Sequence, residues 1–400
     1  MRIEQGKVGK ILRFLLLGFA FSCPLSIALS ELFAYLALAL WVFKVLYFRN
    51  FTFVRNPFLV PIFLFAGVAI YASVNGIRPD VSLDKIHRLS LLALIFLLAE
   101  SFPAGRQNGA RVMMFYLAGC TGLGLLDLIR VPWEVHTGVS LYDTGNMRDP
   151  QMYMTALCFL FAAWLFSPEN WSRGWLLAVT VVNGMGLILH FKRGSWFSCF
   201  VALGLMSLFA GRWKWMLYLV LAASALILVP QARDRLDMLR SEWSLRQGGR
   251  YVLWTEVAPV LIGEYPRGMG YAATKAEDFH RFKYVQPNLN HLHNNVLQIR
   301  LETGRAGLAV WLAWMAFAFG LFFVNDRAAV RAAGQNLAAP RWLALGALGA
   351  FCGLMMNGVV EYNFGDSEIL MLMALLMGLA CLLRQQARLT GANPAALHGS

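Results

Sequence analysis

Two closely spaced histidines are the residues of this chain best suited to acid–base chemistry. His291 and His293 lie in the segment HLHNNVLQIRLETGRAGL, whose polar residues lead straight into an apolar run. A helix would rise about 16 Å between His293 and Gly304, so we expect His293 to stand above the hydrocarbon of a membrane. Histidine titrates near neutral pH and can take a proton from an attacking hydroxyl. The sequence alone leaves open whether His293 is such a base or a solvated side chain.

A metal site at this histidine pair is disfavoured by spacing. Residues two apart lie on different faces of a helix, and no third ligand is near them in the sequence. Zinc sites in proteins use three or four side-chain ligands. We therefore expect neither a metal nor another cofactor here.

Two arginines are candidates for binding an anion. Lys192 and Arg193 lie in HFKRGSW, a connection of a few residues between two apolar runs. They are either basic residues that reach the lipid headgroups or part of an anion site with the amides of a Gly-Ser helix start. Arg250 follows a glycine pair in GGRYVLWTE and would project from the start of an amphipathic helix, where a solvated arginine is the ordinary alternative.

The composition shows which elements must position these residues. Of the 400 residues, 58% are hydrophobic and only 14% are charged, whereas soluble proteins have roughly a quarter charged. A soluble cytosolic enzyme is excluded. Apolar runs of the roughly 20 residues that cross a bilayer recur from Ile11 to Leu383, with boundaries near 11–29, 31–48, 57–75, 87–102, 110–130, 151–167, 174–191, 195–210, 214–230, 295–324, 341–360 and 368–384.

This pattern predicts an all-α fold, a polytopic membrane protein of about 12 transmembrane helices in one domain spanning residues 1–400. The first run follows basic residues, as in a secretory signal, but a second run begins directly after Glu31. A hairpin of two retained helices explains both runs. The six cysteines all lie in apolar runs without a CxxC pair, which indicates buried free thiols.

Charge distribution predicts the orientation of the chain. With both termini in the cytoplasm, the cytoplasmic segments are rich in Lys and Arg and poor in Asp and Glu, so they account for the net charge of +13. This asymmetry makes nucleic-acid binding unnecessary as an explanation of the basic charge. We therefore expect a multi-pass membrane protein with membrane lipids as neighbours.

Residues 231–292 form the only long polar interruption and fall on the outer side, between the ninth and tenth spans. Their apolar residues recur at helical intervals among charges. We expect one large outer loop of two amphipathic helices, broken at Gly248-Gly249, that lies on the membrane surface or caps the bundle. Pro266, Gly268 and Gly270 should end this helical part.

Several motifs together resemble the O-antigen ligase and polymerase superfamily. The pattern His293-Asn294, nine residues, Gly304, two residues and Gly307 is similar to its signature after one large periplasmic loop. Three weaker motifs agree in order, namely GNMRDPQMYMTAL from Gly145, KRGSW from Lys192, and GGRYVLWTEVAPVLIGEYPRGMGY. The resemblance covers roughly residues 140 to 310.

This resemblance implies a glycosyltransferase on the periplasmic face of the inner membrane, an O-antigen ligase of lipopolysaccharide biosynthesis. It would move a glycan from undecaprenyl diphosphate to a sugar hydroxyl of lipid A-core. Arg193 and Arg250 match the arginines that engage the diphosphate, and His293 matches the histidine proposed to activate the acceptor. Either Lys85 or Arg88 corresponds to a further functional positive charge. The supporting residues are Asn294, Gln298, Glu302, Gly304, Gly307, Lys192 and Trp254, with no metal ligand.

Three rival functions are separable by sequence features. An O-antigen polymerase tends to have two long outer loops, whereas this chain has one. A protein O-oligosaccharyltransferase usually has a larger C-terminal periplasmic region than the short stretch near 360–368. A transporter of an anionic lipid would carry charges in mid-span, but apart from Asp127 the ionisable residues cluster at span ends.

Overall fold

A computed structural model describes residues 5–102, 106–140, 148–166, 171–246, 249–283, 285, 289–332 and 341–391. These residues form helices and connections without any strand, so the predicted all-α class is confirmed. The helices are α1 (Gln5–Ser22), α2 (Ile27–Phe48), α3 (Leu59–Val74), α4 (Pro79–Ile86), α5 (Leu94–Ser101), α6 (Arg106–His136), α7 (Asp149–Phe166), α8 (Arg173–Leu189), α9 (Arg193–Phe209), α10 (Lys214–Ile227), α11 (Pro230–Leu245), α12 (Gly249–Val252), α13 (Ala258–Glu264), α14 (Asn295–Ala332), α15 (Arg341–Val360) and α16 (Ser367–Gly391).

All twelve predicted spans contain helix, but their number as membrane crossings stays a prediction. Five helices in the described residues are long and apolar enough to cross a membrane, namely α2, α6, α14, α15 and α16. A sixth crossing results if α10 and the helical part from Pro230 to Glu264, which meet at an angle of 89°, form one broken span. The predicted span 87–102 is divided into a 3₁₀ helix, His87–Ala93, and the short α5.

The centre of the bundle is formed by α7, α15 and α16. In the most apolar stretch of α15, 78% of the residues are buried, and in that of α16, 89% are buried. Small residues let these helices approach closely. A Cβ atom at Gly346 would lie 2.5 Å from the Phe159 ring, and one at Gly353 would lie 2.9 Å from Met154 Sδ. The six cysteines are buried and free, as the sequence indicated.

The periphery exposes the apolar surface that a lipid environment requires. α10 has no buried residue, and its Leu217, Val220 and Leu221 are more than half exposed. Similar exposed side chains lie on α2 and α3. Because soluble proteins rarely expose apolar patches of this extent, these faces are suited to contact with lipid acyl chains.

The polar interruption near residues 231–292 is helical in its first part, as predicted. α11 ends at Leu245 and is followed by Arg246 with a left-handed φ of 53°, and α12 begins at Gly249 with a φ of 52°; Gly248 lies outside the described residues. α12 continues through a π-helical turn, Leu253–Val257, into α13. This helical part ends at Glu264, just before Pro266, Gly268 and Gly270, which confirms the predicted end.

The interruption has a small hydrophobic core of its own that packs on α14. Val252, Val257 and Leu261 lie in this core with Leu301 of α14. The corner after α13 is bonded to the same helix, since the Met269 and Gly270 amides donate to the carbonyls of Leu301 and Glu302 at 2.9 and 3.0 Å. These contacts fix the interruption against one end of the bundle.

A buried amide network fixes the α15–α16 connection beside the start of α14. Asn295 Nδ2 donates to Asn363 Oδ1 at 2.7 Å, and the Asn363 amide donates to Asn295 Oδ1 at 3.0 Å. Asn363 Nδ2 also donates to Asn357 Oδ1 and Gln151 Oε1. Satisfied buried polar groups specify one arrangement strongly, because leaving any of them unpaired is costly. The network thereby places Glu361 near His293.

Candidate functional site

A cavity of about 500 Å³ lies where α9, α11 and α12 meet the start of α14 and the α15–α16 connection. It brings together Arg193, Arg250 and His293, three residues that are far apart in the sequence. Its remaining lining residues are Arg235, Met238, Ser241, Glu242, Leu245, Gly249, Leu253, Val285, Leu289 and Glu361.

Arg193 is the first residue of α9 and points into this cavity. The tight turn before it is made by Phe191, which adopts a left-handed φ of 48° that a bulky residue rarely takes. Arg193 Nη1 donates to the Arg235 carbonyl at 3.0 Å, and its Nη2 forms an ion pair with Glu242 at 3.2 Å. A guanidinium has five N–H donors, so Arg193 retains donors for a ligand.

Arg250 lies opposite, at the start of α12. Its Nε donates to the Val360 carbonyl at 2.7 Å, and its Nη2 pairs with Glu361 at 3.3 Å. Its backbone amide donates to Glu242, the carboxylate that also pairs with Arg193. Glu242 therefore links the two arginines across the cavity.

His293 sits between Arg250 and the start of α14. Its backbone has a left-handed φ of 48°, a conformation that usually persists only where surrounding structure enforces it. Its Nδ1 contacts Glu361 Oε1. Burial alone would raise the pKa of Glu361, but the hydrogen bond from His293 and the charge of Arg250 lower it below the ordinary value. An ionised carboxylate only accepts, so Nδ1 is the donor in this contact and Nε2 is the ring nitrogen left for a ligand.

His291 is much closer to His293 than predicted. The expectation that they lie on different faces of one helix is wrong, because α14 begins only at Asn295 and residues 291–294 form a tight bend. The ring centroids are 4.1 Å apart, and the His293 amide donates to His291 Nδ1 at 3.3 Å. Burial and the neighbouring His293 lower the pKa of His291 to about 4, so His291 is neutral near pH 7.

Glu361 is a potential third metal ligand beside the histidine pair, and the sequence analysis had found no such ligand. One ligand atom each of His291, His293 and Glu361 lie within 4.8 Å of one another. Two imidazoles and a carboxylate are a ligand set that zinc accepts. The signal was absent from the sequence because Glu361 follows the histidines by about 70 residues and reaches them only through the α15–α16 connection.

Four of the predicted supporting residues hold the bend that presents His293. Asn294 Oδ1 accepts from the Leu297 amide at 3.0 Å, which makes Asn294 the N-cap of α14. The Leu292 backbone is fixed from two sides, since its carbonyl accepts from Trp254 Nε1 at 2.9 Å and its amide donates to Gln298 Oε1 at 2.8 Å. Glu302 is buried and accepts from Gln298 Nε2 at 2.8 Å.

The two glycines of the family-like pattern act on the backbone of α14. Gly304 has φ 72° and ψ −170° and interrupts the helix. A Cβ atom there would lie 2.6 Å from the Arg267 carbonyl oxygen, so only glycine fits beside the corner after α13. At Gly307 a Cβ atom would lie 2.0 Å from Thr303 Oγ1. Both glycines allow close packing and neither lines the cavity.

Three predicted basic residues do not line the cavity. Lys192 caps α9 and precedes Arg193. Lys85 pairs with its neighbour Asp84 at 3.1 Å. Arg88 Nη1 donates to the Gly365 carbonyl at 3.1 Å and so holds the connection that carries Glu361.

A buried ionic cluster lies behind the α8–α9 turn and was not predicted. Asp127 accepts from His190 Nε2 at 2.8 Å and from the Tyr153 hydroxyl at 2.6 Å, and it forms an ion pair with Arg130. Arg130 also pairs with Asp149 at 2.8 Å. His190 ends α8 three residues before Arg193, so the cluster fixes the turn that presents Arg193. Arg148 also pairs with Asp149 at 3.3 Å, so each of the two carboxylates has an arginine partner.

Comparison with protein families supports the resemblance found in the motifs. The family described as O-antigen ligase matches residues 178–312, a part that contains Arg193, Arg250 and His293 but not Glu361. The match covers about a third of the chain and supports a member of the O-antigen ligase and polymerase superfamily, in agreement with the resemblance found in the sequence. It indicates an enzyme that transfers a glycosyl group from lipid-linked or polysaccharide substrates. No curated protein matches the chain.

Proposed function

We propose that this protein is an O-antigen ligase of lipopolysaccharide biosynthesis. It takes a glycan from an undecaprenyl diphosphate-linked donor and joins it to a sugar hydroxyl of lipid A-core on the periplasmic face of the inner membrane. The observation that carries the proposal is the single cavity shared by Arg193, Arg250 and His293 within the family-matched part of the chain.

The arginines are suited to bind the diphosphate of such a donor. Arg193 and Arg250 approach the cavity from opposite sides, and Arg235 contributes a third guanidinium. Guanidinium groups form paired charge-assisted hydrogen bonds with phosphate oxygens. As the glycosidic bond breaks, negative charge develops on the diphosphate, and positioned cations stabilise it without a metal ion. The two carboxylates, Glu242 and Glu361, hold these arginines in place.

His293 would act as the general base of the transfer. Glu361 accepts a hydrogen bond from Nδ1 and orients the ring, and Nε2 removes the proton from the acceptor hydroxyl. The acceptor oxygen then forms the new bond to the anomeric carbon while the bond to the diphosphate breaks. This direct displacement inverts the anomeric configuration. Product analysis that showed retained configuration would contradict it.

One experiment separates this function from its relatives. After deletion of the gene, a ligase mutant loses all O-chain from lipopolysaccharide while lipid-linked polymer accumulates. A polymerase mutant instead keeps single-repeat forms, and loss of a protein O-oligosaccharyltransferase leaves lipopolysaccharide unchanged. Gel electrophoresis of lipopolysaccharide distinguishes these outcomes, and complementation with the Arg250→Ala variant tests whether the cavity is required.

A further inference from the structure

A second cavity lies at the end of the bundle opposite to the first. Its volume is about 310 Å³. α16 connects the two ends, since it begins near Glu361 and reaches the second cavity at Arg384, about 26 Å further along the helix. The cavity is lined by Lys44, Asn50, Thr52, Phe53, Arg55, Asn56, Pro57, Ala99, Glu100, Cys381, Arg384, Gln385 and Arg388.

The lining of this cavity has an excess of positive charge. Four basic side chains from three parts of the chain meet there, Lys44, Arg55, Arg384 and Arg388, against the single carboxylate of Glu100. Both oxygens of that carboxylate are already bonded. Glu100 Oε2 accepts from Trp41 Nε1 at 2.8 Å and Oε1 accepts from the Thr52 hydroxyl at 2.5 Å.

Lys44 is the residue that most requires an external partner. Its exposed fraction is only 9%, yet among the described residues it forms neither a hydrogen bond nor an ion pair within the distance limits of such contacts. A lysine whose side chain is mostly buried, and whose ammonium reaches only a cavity lined by other cations, is stabilised by an anion bound in that cavity. The cavity gives an anion access to this ammonium, and Arg384 on the facing helix provides a second cationic contact.

The geometry points to a binding site for a phosphate-bearing anion in this cavity, with a membrane phospholipid as its source. The chain supplies surface for the acyl chains next to the cavity, because Leu46, Tyr47 and Phe51 are 64%, 51% and 52% exposed. Basic pockets between membrane helices bind anionic lipid headgroups through such contacts. This site is separate from the proposed transfer site and does not depend on its reaction.

The test uses the purified full chain in detergent and native mass spectrometry. Phosphatidylglycerol is added as the probe, with phosphatidylcholine as the zwitterionic control. The double variant Lys44→Gln/Arg384→Gln removes two charges from the cavity. The single variant Arg331→Gln removes an exposed charge at the end of α14, outside the cavity. We expect the double variant to bind phosphatidylglycerol roughly 30-fold more weakly and Arg331→Gln to bind it as the wild type does.

A stability measurement covers the case in which the double variant folds poorly. Lys44→Met keeps the shape of the side chain and removes its charge, so it should unfold at a higher temperature than the wild type in phosphatidylcholine. Added phosphatidylglycerol should stabilise the wild type but not Lys44→Met. Equal lipid binding by all variants would overturn the site. Stabilisation of the wild type by inorganic phosphate but not by phosphatidylglycerol would overturn the lipid as its occupant.

Discussion

At the scale of single residues, Glu361 couples the proposed base to the proposed diphosphate site. Its two carboxylate oxygens contact different partners, His293 Nδ1 and Arg250 Nη2. A diphosphate that binds Arg250 competes with Glu361 for that guanidinium. Once Glu361 is displaced from Arg250, the negative charge of its carboxylate acts on His293 alone. Binding of the donor would then strengthen the base when it is needed.

The first prediction is that His293→Ala lowers transfer by roughly 10²- to 10⁴-fold, the usual worth of a positioned proton acceptor. Donor affinity should persist, because Arg193 and Arg250 hold the diphosphate. The measurement is transfer in vitro with purified lipid-linked donor and acceptor, together with donor affinity. Near-normal transfer by His293→Ala would show that His293 is not the general base.

His291→Ala provides the matched comparison. His291 holds the His293 backbone through one hydrogen bond. Loss of the net free energy of one hydrogen bond should lower the transfer rate roughly five- to tenfold. With a pKa of about 4, His291 remains neutral from pH 5 to 8 and adds no step to the pH profile of transfer. A loss as large as that of His293→Ala would assign the proton transfer to the pair.

The second prediction concerns the orientation of the base. Glu361→Gln keeps the size of the side chain but removes the charge that stabilises a protonated His293. We expect transfer to fall by roughly 10²- to 10⁴-fold, as for other carboxylates that orient a catalytic histidine. The pH profile distinguishes this role from a structural one, because loss of the carboxylate destabilises protonated His293 and should move the acidic limb of the profile to lower pH. An unchanged profile with only a lower rate would make Glu361 a packing residue.

The third prediction concerns metal ions. Transfer should survive EDTA, because guanidinium groups neutralise the diphosphate. Added Zn²⁺ should instead inhibit, since the cluster of His291, His293 and Glu361 offers it three ligands and binding would occupy the base. His291→Ala should weaken this inhibition. Complete loss of transfer in EDTA, restored by magnesium or zinc, would contradict metal-free transfer.

The sequence identified the residues of this site better than their contacts. Arg193, Arg250 and His293 lie in local patterns of recognisable type, so they could be predicted as candidates. Glu242 and Glu361 lie in ordinary polar surroundings, and their pairing with the arginines arises from contacts between distant segments. No local pattern distinguishes such carboxylates from solvated ones.

At the scale of elements, the interruption of α14 at Gly304 joins the bundle to the helical part that carries Arg250. The fourth prediction is that Gly304→Ala lowers the unfolding temperature, because alanine is strained at this φ and ψ and its Cβ would collide with the Arg267 carbonyl. Gly320→Ala in the same helix meets no atom within 4 Å and is the control. Thermal unfolding of the two purified variants measures the difference; equal unfolding temperatures would contradict the proposed constraint.

Helical elements were predictable from hydrophobic runs, whereas some of their interruptions were not. The apolar residues of α2, α15 and α16 extend over membrane length, so these helices follow from composition alone. The 3₁₀ helix at His87–Ala93 and the late start of α14 depend on neighbouring segments. In the second case, a hydrogen bond from Trp254 to the Leu292 carbonyl and one from the Leu292 amide to Gln298 hold Leu292 outside the helix, so the histidine spacing could not be interpreted on a helical wheel.

At the scale of the whole molecule, the two cavities lie at opposite ends of one bundle. The first contains both acidic and basic side chains, and the second contains four basic side chains and one carboxylate. Basic residues retained on the cytoplasmic side of membrane proteins set their orientation. The second cavity therefore belongs on the cytoplasmic side of our proposed layout, and the first belongs on the periplasmic side.

The last prediction tests this layout by labelling from outside the cell. α14 extends from Asn295 to Ala332, about 55 Å, so its ends lie on opposite sides of a hydrocarbon core of about 30 Å. Ser244→Cys in α11 should react with an impermeant thiol reagent in cells with a permeable outer membrane, whereas Arg331→Cys should react only after the inner membrane is opened. Both positions are exposed, and the native cysteines are all buried, so background labelling is low. External labelling of Arg331→Cys would invert the layout and move the proposed transfer site to the cytoplasm, where a periplasmic ligase cannot act.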